Sequence, residues 1–211
     1  MICVGIDPGI HATGIVALGN GFQRSKVVSS TKNKCVGVVR DWELARSLRV
    51  EVGFAFRDLI YGLPDADVTV AIEGAALARG GFGSVQVGAL HFVLYDELHA
   101  ALVHSVRPPN SLLIVTVPPK TLKKYASGNG NADKDQMVKA ISERWRVRLS
   151  QHDLYDAYAL AKLAEAYRKG GDSAFNGKIE VHRMTGGEFT EVVCVPDSTR
   201  KRRSRRKRSR N

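Results

Sequence analysis

Four carboxylates, at three separate places in the sequence, have the types and surroundings that could bind divalent metal ions. Asp7 ends the apolar run 2–6, and Glu73 ends a second apolar run, 68–72. Asp153 and Asp156 are three residues apart in a helical pattern, so they share one helix face. A carboxylate among apolar residues is costly to bury without a partner. Magnesium prefers oxygen ligands, so the set predicts a metal site if the fold brings the three places together.

Each place also has a simpler interpretation, which the residues alone leave open. Asp7-Pro8-Gly9 is a turn sequence, because proline lacks a backbone N–H and glycine tolerates turn conformations. An Asp-x-x-Asp pair on a helix is often a solvated face. The combination is more specific than its parts. Two metal ions about 3.5–4 Å apart can activate water and stabilise the leaving oxygen in phosphodiester hydrolysis.

The elements that must position these carboxylates alternate between strands and helices. Short apolar runs predict strands at 2–6, 14–18, 68–72 and 112–117. Helical spacing of apolar residues predicts helices at 41–61, 84–104, 120–125, 132–145 and 150–169. Asn131 is expected to cap the helix that begins at Ala132, after a mobile loop at 128–131. This alternation predicts an α/β sheet covered by helices, with strand ends and helix starts gathered at one edge.

The chain is expected to divide into three parts. Residues 1–170 form the predicted nuclease domain, in which the carboxylates lie. Residues 171–198 are expected to form a small hairpin extension, because residues 178–195 alternate around Thr185-Gly186-Gly187. Residues 199–211 form a basic tail.

Most of the positive charge lies in that tail. Nine of the eleven net positive charges fall in residues 200–210, which leaves +2 for the rest of the chain. Such a run repels itself and is expected to be disordered when free. Its expected partner is a polyanion, although a solubilising terminus or a localisation signal would have the same composition.

Other bulk features narrow the class of protein. No apolar run approaches the ~20 residues of a membrane-spanning helix, and the N-terminus does not have the pattern of a signal peptide. The three cysteines have no metal-ligand spacing, which predicts reduced thiols in a cytosol-like compartment. We therefore expect a protein without a membrane partner.

The carboxylate motifs resemble those of a known family. Gly5-Ile6-Asp7-Pro8-Gly9 with Thr13-Gly14, then Ala71-Ile72-Glu73, then Asp153-x-x-Asp156-Ala157, are similar to the RuvC family of Holliday-junction resolvases in the ribonuclease-H-like superfamily. The resemblance covers roughly residues 1–168. It implies a ribonuclease-H-like mixed central sheet flanked by helices. It also implies a crossover junction endodeoxyribonuclease that makes paired nicks in four-way, and other branched, DNA during recombination or repair.

The resemblance assigns roles to particular residues. Asp7, Glu73, Asp153 and Asp156 correspond to the family's four acidic metal ligands, for two magnesium ions that manganese can replace, with His152 as an auxiliary ligand or base. Lys123 and Lys134 correspond to its catalytic lysines. A four-way junction has near two-fold symmetry, so paired cuts would call for a two-fold homodimer with two active sites. The helix at 84–104 is a candidate dimer surface or simply a core helix. The implied setting is the cytoplasm of a bacterium or of a phage-infected host.

A larger set of basic and aromatic residues is expected to contact DNA. It comprises Lys120, Lys123, Lys124, Lys134, Arg79, Phe82, Arg200, Lys201, Arg202, Arg203, Arg205 and Arg206. One position departs from the family pattern. Ala76 stands where well-studied members have an aromatic wedge, and Phe82 is the candidate replacement.

Three alternative functions stay open at this point. The first motif also resembles the phosphate loop of actin-like and sugar-kinase ATPases, which need a second lobe and a second phosphate motif. An inactive domain of the same fold could bind nucleic acid without cutting it. An active one could cut RNA–DNA hybrids instead of junctions.

Overall fold

The computed structural model describes most of the chain in twelve segments. They are residues 1–9, 12–19, 21–29, 50–55, 57–58, 67–74, 91, 94–98, 100, 112–170, 180–185 and 188–194. The basic tail lies outside these residues, as do Arg79, Phe82 and Ala76. The predictions made for those positions therefore stay predictions.

The described strands form one seven-stranded mixed sheet. In chain order they are β1 (Ile2–Asp7), β2 (Ala12–Gly19), β3 (Phe22–Ser29), β4 (Val68–Glu73), β5 (Leu112–Val117), β6 (Glu180–Thr185) and β7 (Glu188–Cys194). Their order across the sheet is β3-β2-β1-β4-β5-β6-β7. The three central strands β1, β4 and β5 run parallel, and the outer strands pair antiparallel with their neighbours. The predicted mixed α/β sheet is confirmed.

Both faces of the central strands are covered, which explains why their sequences are apolar runs without polar alternation. In β1, Cys3 belongs to the core on one face, whereas Val4 and Ile6 belong to the core on the other. In β4, Ala71 faces the first core, and Val70 faces the second.

Three helices lie on the face of the sheet that Cys3 and Ala71 line. They are α1 (Pro119–Ser127), α2 (Lys134–Trp145) and α3 (His152–Gly170). The third helix packs on β1, β2 and β4. Its middle is buried all round, since Ala157, Leu160 and Ala161 are each fully covered.

Helical residues from two further segments cover the opposite face. Val52 and Ala55 of one segment, and Leu94 and Leu98 of the other, are buried in the second core. The core interpretation of the predicted helix at 84–104 therefore holds for Leu94 and Leu98. The dimer interpretation of that helix stays a prediction.

The predicted C-terminal hairpin is present, and it extends the main sheet. Thr185 pairs with Glu188 across the turn, and β6 pairs with β5 from Thr116–Glu180 to Leu112–Met184. The hairpin thus supplies the neighbour that the outer side of β5 would otherwise lack.

None of the described helices combines the length and the hydrophobicity that a membrane crossing requires. Cys3 is a buried free thiol, and burial, followed by the nearby charge of Glu165, raises its pKa to about 11.

Candidate active site

Two of the four predicted carboxylates come from the ends of adjacent parallel strands. β1 and β4 are in register up to the pair Ile6–Ile72, so Asp7 and Glu73 follow side by side at the carboxyl edge of the sheet. Because side chains alternate along a strand, Asp7 shares the face of Cys3, and Glu73 shares the face of Ala71. Both carboxylates therefore belong to the sheet face on which α3 lies.

The other two carboxylates come from the first turns of α3. Asp153 and Asp156 lie on this helix three residues apart, as the sequence predicts. The charges of Asp153 and Asp156 act on Asp7 and Glu73 respectively, so the structure brings all four side chains together. This convergence is what the sequence alone left open.

Two glycines on the strands let α3 approach so closely. A Cβ atom on Gly14 would lie 2.2 Å from the carbonyl oxygen of Asp153, and one on Gly5 would lie 1.9 Å from that of Ala157. No real side chain tolerates such distances, so these strand positions require glycine. Both glycines belong to the carboxylate motifs of the sequence, but the motifs alone do not predict this role.

A hydrogen bond and a turn fix the end of β1. Thr13 on β2 donates a hydrogen bond to the carbonyl oxygen of Gly9, over 3.4 Å. The turn that follows Asp7 is therefore tied to the neighbouring strand. The chain returns as β2, with Gly14 paired to Asp7, which agrees with the turn interpretation of Asp7-Pro8-Gly9. The metal-site interpretation of Asp7 stays a prediction.

Burial makes the charges of this site unfavourable without a cation. Burial raises the pKa of Asp7 well above its ordinary value, and the charge of Glu73 raises it further. Burial also raises the pKa of Glu73, and a hydrogen bond that the Asp7 carboxyl donates to Glu73 partly opposes this. The two acids therefore share a proton more readily than they carry two charges.

Asp156 is the third carboxylate of the site with a raised pKa. Burial and then the charge of Asp7 raise its pKa from 3.8 to about 6. Its Oδ1 atom is buried and has no hydrogen-bond partner within the described chain. An orphaned buried carboxylate oxygen is rare in folded proteins and calls for a ligand or a water.

Two lysines stand beside the carboxylates. The positive charge of Lys134 lowers the pKa of Asp7, Glu73 and Asp156, and that of Lys123 lowers the pKa of the last two. Lys123 is half-buried on α1, whereas Lys134 is the first residue of α2. Of the predicted DNA-binding lysines, the structure thus brings these two to the carboxylates. Lys120 and Lys124 are exposed on α1.

The connection between the two lysine-bearing helices differs from the prediction. The expected cap at Asn131 and the helix start at Ala132 are wrong, because α2 begins at Lys134 with Asp133 as its cap. Asp133 accepts from the Gln136 backbone N–H, over 2.8 Å, while the Asp133 N–H donates to the Gln136 side chain, over 3.2 Å. This reciprocal pair is a capping box, and its sequence signal is an Asp followed three residues later by Gln.

The loop before that cap is also tied down, although its glycines predicted a mobile one. The Asn129 N–H donates to the Ser127 hydroxyl, and the Asn131 N–H donates to the Asn129 side chain. Gly128 ends α1 in the left-handed conformation, with a φ of 79°. The spacing between Lys123 and Lys134 is thus set by hydrogen bonds.

The carboxylate oxygens of the site suit a hard divalent cation, although they do not form a complete coordination shell. The four carboxylates interact electrostatically, but among the described residues no three Asp, Glu, His or Cys side chains are placed to hold one metal ion as they stand. The clustered oxygens, the orphaned Asp156 atom and the raised pKa values all fit a site for magnesium or manganese. His152 is exposed at the first position of α3.

Comparison with known proteins places the fold. No family model matches the chain, and no curated protein matches it at a significant level. Among solved structures, Thermus thermophilus RuvC is 19% identical, with a TM-score of 0.56 over 81% of this chain and 97% of that one. The same protein in complex with a Holliday junction substrate is 20% identical, with a TM-score of 0.57 and the same coverage. The chain therefore has a RuvC-like, ribonuclease-H-like fold.

Proposed function

We propose that this protein is a magnesium-dependent endodeoxyribonuclease that makes paired nicks in four-way DNA junctions. The observation that carries the proposal is the convergence of Asp7, Glu73, Asp153 and Asp156 at one sheet edge. Each is held by a strand end or a helix start, in a fold shared with RuvC. One of the RuvC structures contains a Holliday junction substrate, which supports branched DNA as the substrate here.

In this proposal the four carboxylates hold two magnesium ions. When bound, the ions would activate a water molecule and stabilise the leaving oxygen of the phosphodiester. The chain's own lysines have a separate task. Lys134 and Lys123 stabilise negative charge that develops on the phosphate, because the tied loop and the capping box already hold them beside the carboxylates. Little solvent reorganisation is then needed when the charge forms.

A four-way junction has near two-fold symmetry, so paired nicks require two active sites. We propose a two-fold homodimer as the active form. Light scattering coupled to size exclusion, with and without junction DNA, measures this directly. A chain that stays monomeric in both cases contradicts the dimer, while the nuclease activity is judged separately.

The proposed activity is tested by cleavage of a synthetic four-way junction beside a linear duplex, a flap and an RNA–DNA hybrid. Each is incubated with and without magnesium, using wild type, Asp7→Asn and the control Asp135→Asn. Asp135 is an exposed carboxylate on α2, so its variant makes the same chemical change without removing a proposed metal ligand. We expect symmetric, magnesium-dependent nicks in the junction, reduced at least about 100-fold by Asp7→Asn and unchanged by the control.

Other outcomes point to the alternatives. Stronger cleavage of the hybrid than of the junction would change the substrate and keep the chemistry. Tight junction binding without cleavage under magnesium or manganese would contradict the enzyme and leave a binding module. Stabilisation by ATP, with no effect of DNA, would favour the ATP-binding fragment.

A further inference from the structure

Unpaired positive charges are concentrated in one part of the described chain. Between residues 119 and 148 there are eight basic side chains and three acidic ones. The basic residues of α3 form ion pairs, such as Lys162 and Lys169 with Glu165 and Arg168 with Asp67. Those of 119–148 form no ion pair with any described residue. Two of these, Lys123 and Lys134, lie beside the carboxylates. Arg144 donates to the Tyr125 carbonyl oxygen and lies over the Tyr125 and Trp145 rings. No described residue forms such a contact with the other five.

Arg146 and Arg148 stand out within this group because of the segment that carries them. Val147, between them, is buried in the core, while both arginines are exposed. Because Val147 points into the core, the side chains on either side of it are exposed to solvent. It connects the end of α2 to the start of α3, so Arg148 precedes Asp153 by only five residues.

Hydrogen bonds hold this segment against the helix that carries the site. The Leu149 backbone N–H donates to the Tyr155 hydroxyl over 3.1 Å, and that hydroxyl donates to the Leu149 carbonyl over 3.3 Å. Tyr155 is buried on α3, directly before Asp156. The arginines are thus anchored close to the first turns of α3.

The backbone at Arg146 gives an independent indication. Arg146 ends α2 with a φ of 53° and a ψ of 40°, the left-handed region that glycine and asparagine adopt far more readily. In the described chain it is the one residue other than glycine with a positive φ. A left-handed residue commonly ends a helix, but glycine is the usual occupant of that position. An outlier of this kind points to a use outside the fold.

We propose that Arg146 and Arg148 bind the phosphate backbone of DNA beside the carboxylate site. Guanidinium groups suit phosphate because they offer a planar fork of N–H donors and stay charged at all relevant pH values. The two arginines would add positive charge on the segment that leads into the helix carrying Asp153. This inference rests on the proposed function, since it names further contacts for the same DNA.

The test is junction binding as a function of salt, measured by fluorescence anisotropy in EDTA so that no cleavage occurs. The variants are Arg146→Gly, Arg148→Gln and the double variant. The control is Lys169→Gln, which also removes one positive charge. Lys169 is exposed, and it lies about 24 Å along α3 from Asp153.

We expect the slope of log affinity against log salt to become shallower by about one for each arginine removed. Affinity at moderate salt should fall about tenfold in the double variant, while Lys169→Gln matches wild type. Arg146→Gly should unfold at the same temperature as wild type or a higher one, because glycine relieves the backbone strain. A loss of binding in a fully folded variant then reports a lost contact.

Three results would overturn the inference. If both arginine variants match wild type in affinity and slope, the arginines are ordinary solvated charges, and the proposed nuclease function is untouched. If wild type binds no DNA at any salt concentration, the proposed function and the inference both fail. Equal losses in the Lys169→Gln control would show a general charge effect and also contradict a specific contact.

Discussion

Asp156 shows most directly how folding and chemistry conflict at this site. Its carboxylate is largely buried, it carries an orphaned oxygen, and its pKa is raised from 3.8 to about 6. A raised pKa means that the folded state binds the proton more tightly than the unfolded state does. Metal-free stability attributable to this group therefore falls as the pH rises from about 3.8 to about 6, and the loss is complete above that range.

Replacing this acid should make the metal-free protein more stable at neutral pH. In Asp156→Asn the charge is absent, so we expect the free energy of unfolding at pH 8 to rise by about 1–3 kcal/mol. Near pH 3.5 the difference should largely vanish, because the wild-type carboxyl is then protonated in both states. Urea unfolding in EDTA at the two pH values measures this, with Asp135→Asn as the exposed control. Equal stability of wild type and Asp156→Asn at pH 8 would show that the carboxylate is adequately solvated.

Magnesium should make the wild type more stable than Asp156→Asn, which reverses the order expected without metal. A ligand that binds only the folded state stabilises it in proportion to its affinity. We expect magnesium to raise the unfolding temperature of wild type by several degrees and that of Asp156→Asn by much less. Thermal unfolding over a magnesium titration distinguishes the two. A rise that is the same in both proteins would place the ion elsewhere.

The carboxylate cluster depends on how closely helix α3 packs on the sheet. The sequence shows where Asp153 and Asp156 lie on their helix, but the height of that helix above β2 is set by Gly14. In Gly14→Ala the new methyl group meets backbone atoms of Asp153, which cannot rotate away. We expect a loss of about 1–3 kcal/mol in unfolding free energy from overpacking. Cleavage should fall further than stability explains, because a displacement of about 1 Å at reacting groups costs about 100-fold.

Gly19→Ala is the matched control for that variant. It makes the same change on the same strand, but the new methyl group meets only the outer end of the half-buried Phe22 ring. A side chain can move aside, so we expect smaller effects on stability and near-normal cleavage. Junction cleavage and urea unfolding of both variants provide the comparison. Normal cleavage by Gly14→Ala would show that the helix position tolerates displacement.

The capping box of α2 also positions a residue of the site, because it fixes the helix end that carries Lys134. Loss of a cap costs about 0.5–2 kcal/mol, whereas asparagine caps about as well as aspartate. We therefore expect Asp133→Ala to lower both stability and cleavage. Asp133→Asn should retain most of both, although it removes the same charge. Urea unfolding and single-turnover cleavage distinguish a capping role from an electrostatic one, in which the two variants would behave alike.

The features that the sequence predicted are those set by local pattern. β1 and β4 were predictable because strands covered on both faces are apolar runs, and each run visibly stops at a carboxylate. The start of α2 was mispredicted at Asn131, because two nearby residues can cap a helix, and the pairing of Asp133 with Gln136 decides between them. The close packing of α3 on the strands and the pairing of β6 with β5 depend on contacts between segments that are distant in the sequence. No local pattern in the sequence reports such contacts.

At the scale of the whole molecule, the boundary predicted after residue 170 stays a prediction, and the pairing of the C-terminal hairpin bears on it. The hairpin of β6 and β7 pairs with β5, whose sequence Leu112–Val117 is almost entirely apolar. A chain cut to residues 1–170 would leave that side of β5 as an unpaired apolar edge, which is a template for aggregation. We expect this fragment to be insoluble or clearly less stable than the full chain.

A chain of residues 1–198, without the basic tail, should unfold at the same temperature as the full chain. Thermal unfolding and light scattering of the two truncations test this. A soluble 1–170 fragment with unchanged stability would show that the hairpin is an accessory to the nuclease domain rather than part of its sheet.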